Sequence, residues 1–423
     1  MRVDEAATYL YYVRKPPLYG LVSYTLPNNH VFHTLLVSAS TFVFGNHPWA
    51  IRLPAFGAGV AMIPLAFVVG RQEDGEAAGL LAAAFVATSS VLIEYSTDAR
   101  GYTMVAALFL ALLALQPALL RAEPRAWRWF TILSALGFFT VPTFLFPFGI
   151  VVVFLAVKGI PWRRLARRVG LALLVTALAY FPAFLWTGPH VFVSNRFVVS
   201  RPWTVWLSLI RRSVIDPTWL GWNRGLGLAG MLLFAAFFVA GLVRDKTRLP
   251  LITVAWCALL VIAARWIVFP RVWTFLIPLY WMTVAAGIVW VFRQRWAIPI
   301  ALAALVAIGG SVLVSGSVVR ACDGCFPDAE RVAVALDGIG ARTAVLAFNP
   351  ATAPLQYYAV LHRERLRINT LRATDQRVFI VVDTAAGQAP ADVVRGHSLT
   401  AREVARATVF ERFAGATVYV YAR

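Results

Sequence analysis

The sequence predicts an α-helical polytopic membrane protein, with about ten transmembrane helices and a small C-terminal α/β domain outside the membrane. Three observations carry that expectation. First, the 423 residues are 60% hydrophobic and only 14% charged, with a mean hydropathy of +0.71. A soluble domain has about 45–50% apolar and about 25% charged residues. Second, apolar runs follow one another from residue 52 to 315 with short gaps between them. Third, the runs shorten to strand length after residue 316. The formal charge of +19 would suit a nucleic-acid partner, but most of the Arg clusters sit in the gaps between apolar runs. That distribution is the positive-inside pattern of membrane proteins and argues against nucleic acid.

Residues 1–51 read as a first external loop with interfacial helices. Pro16-Pro17 and Pro27-Asn28-Asn29 break the segment into short pieces. Residues 31–44 are apolar but fourteen long, short of the roughly 20 that a span needs. An interfacial helix with His30 and His33 on its polar edge fits better. The transmembrane bundle occupies 52–316. Its spans fall near 52–71, 77–93, 102–121, 126–140, 142–158, 168–187, 225–243, 249–268, 272–292 and 296–315. Pro142 and Pro147 interrupt one long apolar stretch, read here as a tight hairpin rather than one kinked helix. Gly and Pro inside such runs are tolerable where neighbouring helices satisfy the freed backbone groups.

Lys and Arg in alternate gaps set the orientation. One set holds fourteen, from Arg71 through the cluster Lys158, Arg163, Arg164, Arg167 and Arg168 to Arg295. The short gaps of the other set hold only Arg100 and Arg271, and the long 188–224 loop adds five Arg. The rule for short loops puts the first set in the cytoplasm. Residues 1–51, the 94–101 turn, the 188–224 loop and 317–423 then lie outside, and ten spans return both ends to one side. An external N-terminal segment carrying Arg2, Arg14 and Lys15 leads to the expectation that a further transmembrane helix belongs ahead of Met1. Unaided translocation of the N-terminal tail is the alternative.

Residues 317–423 form the extracytoplasmic α/β domain. Ala344–Phe348, Val378–Val382 and Thr417–Tyr421 read as strands, with helical spacing over 328–338 and 354–364. Cys257 lies in an apolar run and reads as packing. Cys322 and Cys325 form a lone CxxC, open to a redox, metal-binding or disulfide role. An oxidising compartment would permit the disulfide.

An unusual set of polar groups gathers on the predicted outer side. The first segment supplies Asp4, Glu5, Arg14, Lys15, Asn28, Asn29, His30 and His33. The 94–102 turn supplies Glu94, Asp98, Arg100 and Tyr102. The long loop supplies Arg196, Arg201, Arg211, Arg212 and Asp216, and Arg271 precedes a span. Ionisable groups at a membrane boundary are functional candidates, although Arg and Tyr also anchor helix ends. For Asp4 and Glu5 the competing reading is a helix cap, since acids favour a first helical turn. A carboxylate can deprotonate an acceptor, and Arg can hold a leaving phosphate with forked hydrogen bonds. The combination suits transfer from a phosphate-linked donor. No GxxxxGK[ST] loop and no HExxH is present, which argues against a P-loop ATPase or a gluzincin-type protease. His30 and His33 read as packing or hydrogen-bonding groups. There is no dedicated set of metal ligands, although Asp4, Glu5 and His30 could recruit a divalent ion.

Several motifs resemble a known family. Asp4-Glu5-Ala6 with Thr8-Tyr9-Leu10, then Arg14-Lys15-Pro16-Pro17-Leu18, then the run from Pro27 to Leu36 resemble the first external loop of family 39-like glycosyltransferases of the GT-C fold. Phe44–Pro54 resembles the lead-in to their second helix. Glu94–Tyr102 is similar to their next external turn, and Phe269–Pro278 to a late segment. Relatives include protein O-mannosyltransferases and the lipid A aminoarabinose transferase, and the likeness spans about 3–320. The resemblance implies a polyprenyl-phosphate sugar donor and transfer outside the cytoplasm. It implies Asp4 as general base with Glu5 beside it, and Arg100 or Arg271 on the donor phosphate. The family carries a transmembrane helix before that Asp.

The reading that follows is a multi-pass enzyme of the inner (plasma) membrane, with its active site extracytoplasmic. It moves a hexosyl or pentosyl group from a polyprenyl-phosphate donor to a lipid, glycan or protein acceptor. Asp4 and Glu5 are the catalytic candidates. Lys15, Asn29, His30, Asp98, Arg100, Tyr102 and Arg271 are the substrate-binding ones. No metal and no resident cofactor is expected. Two other classes fit the same features. A transporter or flippase of a lipid-linked sugar should show internal repeats, and none is visible. A non-catalytic assembly protein should tolerate substitution of Asp4 and Glu5.

Overall fold

In a computed structural model the described residues are 1–16, 18–25, 29–188, 199–245, 247–292, 324–340, 342–363, 366–395 and 401–423. They are mostly helical and cluster into two compact units. One unit comprises 18–37 and 52–320. The other combines 1–17, 38–51 and 321–423. The sequence positions Asn28, Arg196 and Cys322 and the expected span 296–315 lie outside the described residues.

The larger unit is the helical bundle. Its elements begin with α2 (Tyr19–Val22) and the first half of α3 (Val31–Phe44), followed by most of α4 (Pro48–Asp74). Next come α5 (Glu76–Thr88), α6 (Ser90–Ser96), α7 (Tyr102–Ala114), α8 (Gln116–Leu120), α9 (Pro124–Thr140), α10 (Leu145–Val157) and α11 (Trp162–Thr187). α12 (Trp203–Ile210), α13 (Asp216–Trp222), α14 (Gly227–Arg244), α15 (Leu249–Ala264) and α16 (Ile277–Val291) complete it.

Four helical stretches are each long and apolar enough to cross a membrane. They are Pro48–Asp74, Trp162–Thr187, Gly227–Arg244 and Pro270–Val291, the last counting the tight turn Pro270–Leu276 with α16. A fifth follows if α5 and α6, bent by 58° at Ser89, form one broken span. The expected single span 102–121 is divided at Leu115 into α7 and α8. The stretch 126–158 breaks at Val141, where an extended residue precedes the Pro142–Phe144 turn.

Burial separates centre from periphery. Of the best apolar window in Pro270–Val291, 78% is buried, against 11% in α11 and in α14. Leu174, Leu178, Leu185, Leu228, Leu232 and Val243 are exposed on those outer helices. Apolar surface of that extent suits lipid, and the protein is a multi-pass membrane protein. α14 and α16 approach so closely that a Cβ at Gly241 would collide with the Thr283 carbonyl. One at Gly287 would meet the Phe237 carbonyl. Without a hydrophobic drive between helices in lipid, such small-residue contacts bring the backbones together. Arg244 at the end of α14 pairs with Asp74 at the end of α4 at 3.2 Å. The charge rule assigned both of these helix ends to the same side.

The smaller unit is built on a four-stranded sheet of β1 (Thr343–Ala347), β2 (Arg377–Asp383), β3 (Thr408–Arg412) and β4 (Ala416–Ala422), in the order β1-β2-β4-β3. β1 and β2 run parallel; β4 is antiparallel to β2 and to β3. The three expected strands are present. β3 was not expected, because its Thr-Val-Phe-Glu-Arg is exposed throughout and shows no apolar run. The parallel pair is crossed over by the helix Thr352–Leu361, as parallel pairing requires. Asp375, 3% exposed, accepts from the Arg367 guanidinium and from the Arg372 amide at 2.7 Å. Cys325 is disulfide-bonded and Cys257 is free and buried.

The N-terminal segment joins this sheet domain. α1 (Val3–Thr8) continues into one wider turn, Tyr9–Val13. Val3 donates to the Gly324 carbonyl at 3.1 Å, and Phe326 donates back to the Met1 carbonyl at 3.1 Å. Tyr9 meets the Tyr357 ring edge-on at 5.3 Å, and the Tyr357 hydroxyl bonds Asn46 at 3.0 Å. The sequence reading held residues 1–51 together; their contacts divide them between the two units.

Candidate active site

The bundle gathers one group of the expected residues. The turn 97–101 joins α6 to α7 and carries Asp98 and Arg100, both buried at 6% and 3% exposure. Gly101 at its end donates its amide to His30 Nδ1 at 2.8 Å. A methyl group on Gly101 would lie 2.5 Å from Thr140 Cγ2 and 2.9 Å from His30 Nδ1, so only glycine lets the imidazole and α9 close on this turn. Because Nδ1 accepts, the ring proton of neutral His30 resides on Nε2.

Tyr102 opens α7 and organises the neighbours. Its ring stands edge-on to His30 at 4.9 Å and to Tyr95 at 5.8 Å. The Arg100 guanidinium lies 5.5 Å from the Tyr102 ring centre, and Nη2 reaches its hydroxyl at 3.4 Å. Arg271 sits in the Pro270–Leu276 turn, 4.8 Å from the Phe269 ring. Glu94 accepts from Arg224 at 2.9 Å.

His30 and His33 do not lie on a polar edge. Both are buried, at 2% and 0% exposure. Burial pushes the His33 imidazole down to about 3, with the Arg100 charge adding to it. His30 is held well below the usual imidazole range by burial, then by Arg100, His33 and Arg271. Two neutral imidazoles beside two fixed guanidinium groups give a site suited to an anion, because the arginines keep their charge while the rings serve as uncharged hydrogen-bonding groups.

Asn29 lies beside this group in sequence and binds backbone carbonyls. It is fully buried; its amide donates to the Gly20 and Ser23 carbonyls at 2.7 and 2.8 Å, and its oxygen accepts from Thr34 at 2.9 Å. That side chain ties α2 to the start of α3 and so fixes where His30 stands.

The sheet-bearing unit holds the other expected residues. Asp4 is half-buried in the first turn of α1 and Lys15 is exposed. Glu5 is fully buried, and its carboxylate accepts the Arg2 amide at 2.9 Å. The sequence left Glu5 open between cap and catalyst. The cap is what its carboxylate makes at the helix start, satisfying an amide with no helical partner. Among the described residues no three His, Cys, Asp or Glu side chains come together as a metal site.

Sequence reasoning missed Gly101, Thr140 and the burial of His33. Nothing in the spacing marks Gly101, because its role is to leave room for a residue 71 positions away.

A sequence model of the dolichyl-phosphate-mannose-protein mannosyltransferase family matches residues 30–186. ArnT from Cupriavidus metallidurans in the apo state is similar over 99% of this chain and 92% of its own, with 15% identity and a TM-score of 0.61. The same protein bound to undecaprenyl phosphate matches over the same shares, with 14% identity and a TM-score of 0.56. No curated protein sequence matches the chain.

Proposed function

From the premise that this chain carries the GT-C glycosyltransferase fold it shares with ArnT, we propose that it is a membrane glycosyltransferase acting on a polyprenyl-phosphate sugar. The structural counterpart that binds undecaprenyl phosphate supports a lipid carrier of this kind. The observation that carries the reading is the group formed by the buried Arg100, the half-buried Arg271 and the buried, neutral His30. In our reading the two guanidinium groups hold the donor phosphate and neutralise the charge that grows on it as the sugar leaves. His30, held by Gly101, offers its Nε2–H. Tyr102 and Asp98 shape the wall, and Lys15 adds a further charge for the phosphate.

Asp4 is the general base. It takes the proton from the acceptor hydroxyl or amine as that atom bonds to the anomeric carbon. The anomeric carbon–oxygen bond breaks and polyprenyl phosphate departs with the electron pair. Glu5 keeps α1 in shape beneath Asp4. The reaction as written draws on no resident cofactor. We place this chemistry on the extracytoplasmic face of the inner membrane, in a bundle of about ten spans. The acceptor is a lipid, glycan or protein.

The test is turnover of a polyprenyl-phosphate sugar by the protein in membranes, comparing wild type with Asp4→Asn. A loss of at least about 100-fold is expected, within the range general-base catalysis supplies. Undiminished turnover would remove Asp4 as the base.

A further inference from the structure

The starts of α9 and α11 carry a concentration of positive charge that the proposed chemistry does not use. The two helices run parallel and in step. The Arg168 guanidinium lies 6.0 Å from the Trp127 ring centre, and the Tyr180 hydroxyl donates to the Phe138 carbonyl at 2.9 Å. Positions 127 and 168 are therefore level with each other, as are 138 and 180, and the first turns of the two helices lie side by side. That register brings Arg125 and Arg128 of α9 to Arg163, Arg164 and Arg167 of α11, all five of them exposed. Glu123 is the sole acid between Asp98 and Asp216 in the sequence, and Arg121 holds it at 2.8 Å. Among the described residues no carboxylate pairs with any of the five arginines. Helix physics alone would not put cations there. A helix start carries partial positive charge and favours anions, and neither of these starts has a side-chain cap to accept its amide protons. An anion between the two starts would answer the guanidinium groups and the amides together.

Position along the helix axis identifies the anion. At about 1.5 Å per residue, the five arginines occupy a band about 9 Å tall in the shared register. The exposed Trp162 lies at one edge of the band and the exposed Trp129 at the other. Past the level of Trp129 the exposed surface of α11 turns apolar, with Leu171, Leu173, Leu174 and Leu178. Tryptophan is enriched where a membrane meets water, and the headgroup layer of one leaflet is about 5–8 Å thick. The charged band thus has the height and the flanks of a headgroup layer. We infer that the starts of α9 and α11 form a binding site for the headgroup of an anionic phospholipid. Guanidinium groups from both helices hold its phosphate, and its acyl chains lie along the exposed leucines of α11. A soluble polyanion would meet the same charges but would gain nothing from the leucines and tryptophans beside them.

The experiment titrates the protein, purified in a neutral detergent, with phosphatidylglycerol or phosphatidylcholine of identical acyl chains, and counts bound lipid by native mass spectrometry. Phosphatidylglycerol should bind more tightly than phosphatidylcholine and should stay bound in an excess of inorganic phosphate or polyphosphate. Near an anionic surface each Arg contributes about fivefold. Arg163→Gln combined with Arg167→Gln should therefore weaken phosphatidylglycerol about 25-fold. Arg125→Gln combined with Arg128→Gln should do the same, because both helices contribute. Binding of phosphatidylcholine should not change. In phosphatidylcholine alone both double variants should melt at or above the wild-type temperature, since cations have left the helix starts. That separates loss of the site from loss of the fold. Arg377→Gln combined with Arg423→Gln removes the same charge from the sheet domain and should bind as wild type. The inference is overturned if phosphatidylcholine binds as tightly as phosphatidylglycerol, or if either double variant at the helix starts keeps wild-type affinity. It is overturned equally if the sheet-domain pair weakens binding as much, or if phosphate or polyphosphate displaces the lipid.

Discussion

Adding one methyl group at Gly101 tests whether the turn before α7 sets the position of His30. In Gly101→Ala the new carbon would lie 2.5 Å from Thr140 Cγ2, 2.9 Å from His30 Nδ1 and 3.3 Å from His30 Cβ. Carbon atoms rest about 3.5–4.0 Å apart, so α9 and the imidazole must together withdraw by about 1 Å. Overpacking of this kind costs about 1–3 kcal/mol. Stretching the 2.8 Å bond from the Gly101 amide to His30 adds about 1 kcal/mol, for a total of about 2–4 kcal/mol. A misplacement of about 1 Å in a positioning group can cost about 100-fold in rate. Thermal unfolding in detergent and turnover of a polyprenyl-phosphate sugar read the two effects separately. Thr140→Ser removes the methyl at 2.5 Å but leaves the contact with His30. The double variant should therefore regain most of the stability and little of the turnover. Gly101→Ala with wild-type melting and turnover within twofold would refute the reasoning.

Other outcomes follow from the same structure. Asn29→Ala removes two bonds to buried carbonyls and one from Thr34. It should cost about 2–5 kcal/mol by leaving those groups unmet, seen as a lower melting temperature and a loss of turnover from a displaced His30. His33 and His30 are neutral when folded but titrate near 6.5 when unfolded. The unfolded chain thus binds more protons below pH 6.5. Stability is fully present above that pH and falls by about 1.4 kcal/mol per pH unit for each ring as pH drops toward the folded value, about 3 for His33. Equilibrium unfolding between pH 7 and 5 should show this slope, and His33→Asn should remove one ring's share of it. Gly287→Ala would drive a carbon into the Phe237 carbonyl. It should separate α14 from α16 and sharply reduce the yield of folded protein, whereas Gly57→Ala, with open space around its Cβ position, should express as wild type.

Much of the secondary structure was legible in the sequence, for a local reason. The helix 31–44 has the bounds its apolar run implies, and the runs 344–348, 378–382 and 417–421 coincide with strands to within a residue or two. These follow from composition and period, which neighbouring residues fix. β3 escaped because an exposed edge strand has no buried face to write a pattern. His33 was misplaced because burial depends on what packs over a helix, and no spacing within α3 states that Arg100 and its turn do so. Asn29 and Glu5 carry polar groups that suit catalysis and scaffolding equally. Their hydrogen-bond partners, Gly20, Ser23 and Thr34 for one and the Arg2 amide for the other, emerge only once the chain is folded. By itself the sequence determined a membrane-embedded helical protein with a small mixed domain, because solvent preference is written residue by residue. Tertiary structure alone decided which polar groups meet. Gly101 brings His30 to the Arg100 turn, and the segment bearing Asp4 joins the C-terminal sheet domain, because contacts between distant residues depend on the space left by everything between them.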